Sequence, residues 1–148
     1  MASKSFTTTI LVDKSPEAAF DAINRPREWW GREIEGPTDR LGEEWTYRYK
    51  DMHFSRHRTT ELVPGRRVAW RVVDSQMSFL KDKEEWKDTE LTFDIARKGE
   101  QTEIRFTHVG LVPGEECFEI CTDAWSGLIG DSLKALIENG EGQPDTVE

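Results

Sequence analysis

The sequence predicts an α+β domain with a curved antiparallel sheet of about six or seven strands, two short helices near its start and one long C-terminal helix. Three observations predict it. Apolar residues recur at period two in successive segments between Phe6 and Val109, a repeat of three or four residues takes over from Cys117 to Leu136, and glycine and proline mark the joins.

Residues 6–12 alternate and are rich in Thr and Ile, which gives the first strand. Ser15-Pro16-Glu17 supplies an N-cap, a proline suited to the first helical position and an acid in the first turn, so a short helix follows through Phe20 and Ile23. Pro26 ends it, and a second helical turn carries Trp29 and Trp30, one expected inward and one outward, before Gly31. Over 33–109 strands prevail. Trp45, Tyr47 and Tyr49 alternate with polar neighbours, 54–63 ends at Pro64-Gly65, and Val68, Trp70 and Val72 return at period two, a hairpin pattern. The charged stretch 81–88, with Trp86 folded back, interrupts before a second hairpin around Gly99. The sheet is expected to be antiparallel and covered on one side.

Gly110 to Gly114 stops the strands, and a helical pattern begins at Glu115-Glu116 and runs to Asn139-Gly140. Cys117, Cys121, Trp125, Leu128, Ser132 and Leu136 form its apolar stripe, and Gly140 suits the position after the helix. Some 25 helical residues span about 37 Å, enough to cross such a sheet diagonally and leave room between the two layers. One domain over 1–140 is expected, with 141–148 a frayed tail.

The totals limit function. The chain has 148 residues and a net charge of −9, which disfavours nucleic acid and anionic membrane surfaces as partners. No apolar run is long enough to span a bilayer or to read as a secretion signal, so a cytoplasmic protein is expected. Cys117 and Cys121 lie on one face of the predicted helix, a spacing judged poor for a disulfide, and reduced thiols are expected. Six Trp, seven Phe and two Tyr must fill a core or line a pocket.

Candidate chemistry is sparse. There is no nucleophile elbow, no phosphate-cradling loop and no convincing carboxylate pair, so no catalytic residue, metal or cofactor is assigned. His108 shares strand parity with Ile104 and Phe106 and should point inward, either as a general base or as a buried imidazole satisfied by a neighbour. Trp45, Tyr47, Tyr49, Trp70, Phe93, Phe106, Cys121, Trp125 and Leu128 join it as candidate ligand-lining residues. Arg58 is added on its parity with Leu62, while a bulge would turn Arg56 and Arg58 out and present His57 instead.

This order of elements, with Ser15-Pro16-Glu17-Ala18-Ala19-Phe20 after the first strand and the Trp29-Trp30 pair, resembles the START-like, pollen-allergen-like helix-grip superfamily. Within it the chain is most similar to the branch of homologues of the activator of the heat-shock-protein-90 ATPase, which also includes calicheamicin-resistance-like proteins. The likeness spans 6–140. It rests on Phe106-Thr107-His108-Val109-Gly110-Leu111, on Trp125 with Ser132-Leu133-Lys134-Ala135-Leu136-Ile137-Glu138-Asn139-Gly140, and on Glu61-Leu62-Val63-Pro64 followed by Val68 and Trp70. The resemblance implies the helix-grip fold and an internal pocket, in a superfamily of lipid carriers, cyclases, resistance proteins and cochaperone domains. The leading expectation is a noncatalytic binder of a small hydrophobic or aromatic molecule, carrier or protective in role. A cyclase- or hydrolase-type enzyme using His108 and a chaperone-interaction module using the outer sheet face or 81–88 are the rivals.

Overall fold

The computed structural model describes residues 5–144 apart from Phe79, Asp82 and Glu115; the far end of the predicted tail, 145–148, lies outside the described residues. Seven strands form one antiparallel sheet, in the order β1-β7-β6-β5-β4-β3-β2. They are β1 (Phe6–Val12), β2 (Ile34–Glu35), β3 (Glu44–Tyr49), β4 (His53–Val63), β5 (Arg67–Met77), β6 (Glu90–Lys98) and β7 (Gln101–Val109). Between β1 and β2 come α1 (Pro16–Ile23) and α2 (Pro26–Trp29). The local signals act as read: the Ser15 side chain accepts from Ala18 N at 3.1 Å, and Pro16 opens the helix.

The C-terminal helix runs without a break from Phe118 to Asn139, as α3 (Phe118–Gly127), a π-helical turn (Leu128–Leu133) and α4 (Lys134–Asn139), and ends at left-handed Gly140. Its predicted stripe is buried throughout. The π turn adds a residue to the local repeat and widens that stripe, so that Leu128, Ile129, Ser132 and Leu133 all face inward.

The sheet curves because its two longest strands are bulged. Thr60 on β4 and Val73 on β5 have no cross-strand partner in the register. Each bulge flips side-chain parity. Ser55, His57 and Thr59 are buried on one side of Thr60, whereas Leu62 is the inward residue beyond it. Arg58, assigned to the cavity by counting back from Leu62, is therefore corrected: it is exposed on the outer face and bonded to Glu44 Oε2 at 2.8 Å. Arg56 points out with it, and His57 takes the inward place.

Three further expectations change. Trp29 and Trp30 are both buried, because α2 is held between the sheet and the π turn. The first residues of the predicted tail are anchored rather than frayed. Ser132 Oγ donates to Trp29 O at 2.7 Å and accepts from Gln143 N at 2.7 Å, while a Cβ on Gly142 would come 2.3 Å from Glu28 O. Cys117 and Cys121 are disulfide-bonded, not reduced. Cys117 is the cap residue just outside the helix, and its Cα lies 5.5 Å from that of Cys121, within bridging range.

Two measurements check this frame. Ser132→Ala leaves Trp29 O and Gln143 N unpaired and is expected to cost about 1–3 kcal/mol in urea unfolding, where a surface serine costs almost nothing. Without reductant the protein is expected to take up no iodoacetamide by mass, and two adducts after reduction and unfolding; two adducts on the unreduced, unfolded chain contradict the bridge.

Candidate functional site

A cavity of about 260 Å³ lies between the helix and the concave face of the sheet. Tyr47 and Tyr49 of β3, His53 of β4 and Met77 of β5 form one wall, and Cys121, Ala124, Trp125 and Leu128 of the helix form the other. Trp30 closes its inner end, and Trp86 closes a side. Met52, 41% exposed in the β3–β4 turn, and Ile120, 53% exposed on α3, flank the opening. A thioether and a branched aliphatic side chain at the mouth make an apolar, adaptable entrance.

Period-two and helical spacing bring five predicted residues to this cavity: Tyr47, Tyr49, Cys121, Trp125 and Leu128. Trp45, Trp70, Phe93 and Phe106 are buried one layer deeper and fill the sheet's concavity with rings. Trp45 meets Trp70 at 4.9 Å, Trp70 meets Phe93 at 5.0 Å, and Phe93 meets Phe106 at 5.1 Å between centroids. Sequence reasoning assigned no cavity role to Trp30, Met52, His53, Met77, Trp86, Ile120 and Ala124. Only Trp86 carried a signal, as the lone aromatic in a charged stretch, where a ring has nowhere to go but back onto the fold.

Trp86 reaches the cavity because its loop is tied to the helix. Glu85 accepts from Glu116 N at 2.9 Å and from Cys117 N at 2.8 Å, and so caps α3 from outside; the Glu116 carboxylate accepts from Lys81 N at 2.8 Å. Thus seated, the Trp86 ring lies parallel to Trp125 at 5.7 Å and edge-on to His53 and His108, each at 4.7 Å.

His108 points inward, but behind Trp125 rather than into the cavity. Trp125 Nε1 donates to His108 Nδ1 at 3.1 Å, and since an indole N–H can only donate, Nδ1 carries no proton. The ring proton of the neutral imidazole is then on Nε2, which donates to Thr89 Oγ1 at 2.9 Å; Thr89 in turn donates to Trp86 O at 2.6 Å. Both nitrogens of His108 are thereby committed to structure. Burial pushes the pKa of His53 and of His108 down to about 3, His108 with a smaller contribution from His53. His57 is driven well below the ordinary value by burial and then by the other two imidazoles, opposed only by its approach to the Trp45 backbone. The cavity wall is therefore aromatic and uncharged near neutral pH.

The unfolded chain takes up protons at these imidazoles near pH 6.5, whereas the folded protein refuses them until far lower. Between those limits the unfolded state binds more protons. Stability from this source is full above about pH 6.5 and falls as pH drops toward 3, by up to about 1.4 kcal/mol per pH unit for each histidine. Nitrogen-correlated NMR at about pH 5 is expected to show three neutral imidazoles, with His108 as the Nε2–H tautomer; a fold in which they titrate near 6.5 contradicts this burial.

Residues 13–138 match the model of the family described as activator of Hsp90 ATPase homolog 1-like protein. No curated protein matches the sequence. Among solved structures, the chain is similar to the Aha1 dimer from Colwellia psychrerythraea, solved in solution, with 24% identity over 96% of this chain and 100% of that one and a TM-score of 0.76. It is also similar to DynU16, a putative protein in the dynemicin biosynthetic locus, at 14% identity over 95% of this chain and 49% of that one, TM-score 0.71. CalU16 from Micromonospora echinospora is a third, at 17% identity over 95% and 78%, TM-score 0.66. These likenesses carry the fold, the helix-grip arrangement of sheet and long helix. With the family model spanning most of its length, the chain belongs to the activator of Hsp90 ATPase homolog 1-like family.

Proposed function

We propose that this protein binds a small hydrophobic or aromatic molecule in the cavity between the sheet and the C-terminal helix, as a carrier or protective protein without catalysis of its own. The observation that carries the reading is the wall itself: parallel and edge-on aromatic faces and thioethers surround the space, and His53 is the one ionisable imidazole at its edge, disfavoured as a cation. Such a wall rewards flat apolar ligands through dispersion and ring stacking and offers nothing to offset the desolvation of a charged one. The reading with His108 as general base has less to support it, because both its nitrogens are engaged and Trp125 stands between it and the cavity. The family's description keeps a chaperone-interaction module as a second reading; against it, the only large apolar ring of 81–88 outside the undescribed Asp82, that of Trp86, is turned inward.

A thermal-shift screen of neutral aromatic compounds tests the binding reading. A true ligand at a hundred times its Kd is expected to raise stability by about 2.7 kcal/mol. Ala124→Trp, which fills the cavity from the helix, is expected to abolish that gain while circular dichroism stays unchanged. If no compound in the panel moves the melting point, or if the filled variant binds as well as the parent, the cavity is not the site.

A further inference from the structure

Behind Trp30 lies a group of buried polar atoms without a hydrogen bond of good geometry, the His57 ring only approaching the Trp45 backbone. The Trp30 ring stacks on Tyr47 at 4.5 Å and lies 5.2, 5.9 and 6.4 Å from the rings of His57, Trp45 and Trp70. On its far side Trp45 meets His57 at 4.3 Å and Trp70 at 4.9 Å. Thr59 sits opposite Trp70 in the register and two residues along the same face from His57. Trp45 Nε1, Trp70 Nε1, Thr59 Oγ1 and both ring nitrogens of His57 are all buried and make no hydrogen bond of good geometry. Two other indoles in the same core are paired, Trp29 Nε1 with Ile23 O at 3.3 Å and Trp125 Nε1 with His108, whereas Trp86 Nε1 at the side of the cavity is buried without a partner as well.

A buried donor or acceptor left unpaired is costly, so gathering several in one place is not something packing selects. Their chemistry specifies what would satisfy them. Two indoles can only donate, a neutral imidazole offers one donor and one acceptor, and a threonine hydroxyl turns either way. Donors prevail, and the complement is an acceptor oxygen. That oxygen belongs to a neutral group, because the guanidinium groups beside His57 in sequence, Arg56 and Arg58, are on the outer face and no Lys or Arg is buried among the described residues.

Trp30 is placed to yield. It ends a four-residue helix and precedes Gly31, and the backbone N–H groups of both share one acceptor, Pro26 O. Its neighbour Trp29 is anchored by Ser132 and by Ile23 O, whereas the Trp30 indole is held by ring contacts, among them Trp125 at 5.0 Å. A flat ligand ring entering between Tyr47 and Trp125 would replace the stacked contact with Tyr47 and the tilted one with Trp125 that Trp30 makes now.

We propose that Trp30 is a displaceable plug, and that the space under it, floored by Trp45, His57, Thr59 and Trp70, is a subsite for the carbonyl oxygen of a neutral aromatic ligand whose ring system occupies the cavity. This rests on the cavity-binding reading above and adds to it a preference between ligands of equal shape.

The test compares 2-acetylnaphthalene with its hydrocarbon isostere 2-isopropenylnaphthalene, followed by fluorescence titration and by the indole N–H signals in nitrogen-correlated NMR, assigned by Trp→Phe substitutions. The ketone is expected to bind about tenfold tighter or better, the scale of one hydrogen bond no longer left unmade. The Trp45 and Trp70 indole signals are expected to move downfield with the ketone and not with the hydrocarbon. Trp30→Ala is expected to tighten ketone binding, and Trp45→Phe to cut the ratio of ketone to hydrocarbon affinity severalfold. Equal affinities, with signal changes confined to Trp86 and Trp125, overturn the subsite and leave the cavity reading standing. So does a ketone-bound crystal structure with Trp30 in place and only water on His57. If neither compound binds, the cavity reading itself falls and the subsite with it.

Discussion

The hydrogen bond from Trp125 to His108 fixes the spacing of the whole interior. It joins the middle of the C-terminal helix to the last long strand in a place that water does not reach, where leaving either group unpaired would be costly. Held there, the Trp125 ring spans the gap between helix and sheet. On one side it packs on Phe106 at 4.6 Å and leads into the solid ring layer; on the other it leaves the cavity. The helix can approach no closer than that ring allows, and the cavity is the space that remains.

Closure of the interior depends on a second kind of contact, carboxylate to backbone. Glu85 caps the helix start and the Glu116 carboxylate returns the bond to the loop, so Trp86 is carried over the cavity by two reciprocal clamps and not by apolar contact alone. The Cys117–Cys121 bridge spans that same first turn. Cap, bridge and lid loop thus reinforce one another at the end of the helix nearest the opening, while the far end is held independently by Ser132 and the docked Gly142-Gln143 segment. The long helix is pinned at both ends and in the middle.

The elements of this fold were legible in the sequence because each rests on a local rule. Ser15 and Pro16 start a helix wherever the chain then goes, and alternation through Trp45, Tyr47 and Tyr49 survives because β3 has no bulge. What was not legible depends on breaks in those rules. Thr60 and Val73 reverse the parity of β4 and β5 without any distinctive residue type, so Arg58 was placed inside and His57 was only an alternative. Depth is likewise invisible to periodicity. Trp45 and Trp70 share a face with Tyr47, yet Trp30, from a short helix far away in the chain, comes between them and the open space. The cysteine pairing was missed because the rule applied, that of two positions within a regular helix, does not hold when the first residue is the cap.

An interior built from rings is expected to be either solid or selective, and the polar atoms decide which. Where Trp29, Trp125 and His108 meet partners, the core is closed and simply packed. Beside Trp30, the Trp45 and Trp70 indoles and the Thr59 hydroxyl meet none, and the Trp86 indole at the side of the cavity shares that condition, whereas Trp125 is tied by way of His108 and Thr89 to the Trp86 carbonyl. Unpaired donors thus gather around the cavity and around the ring that closes its inner end, the side from which the proposed guest would reach them.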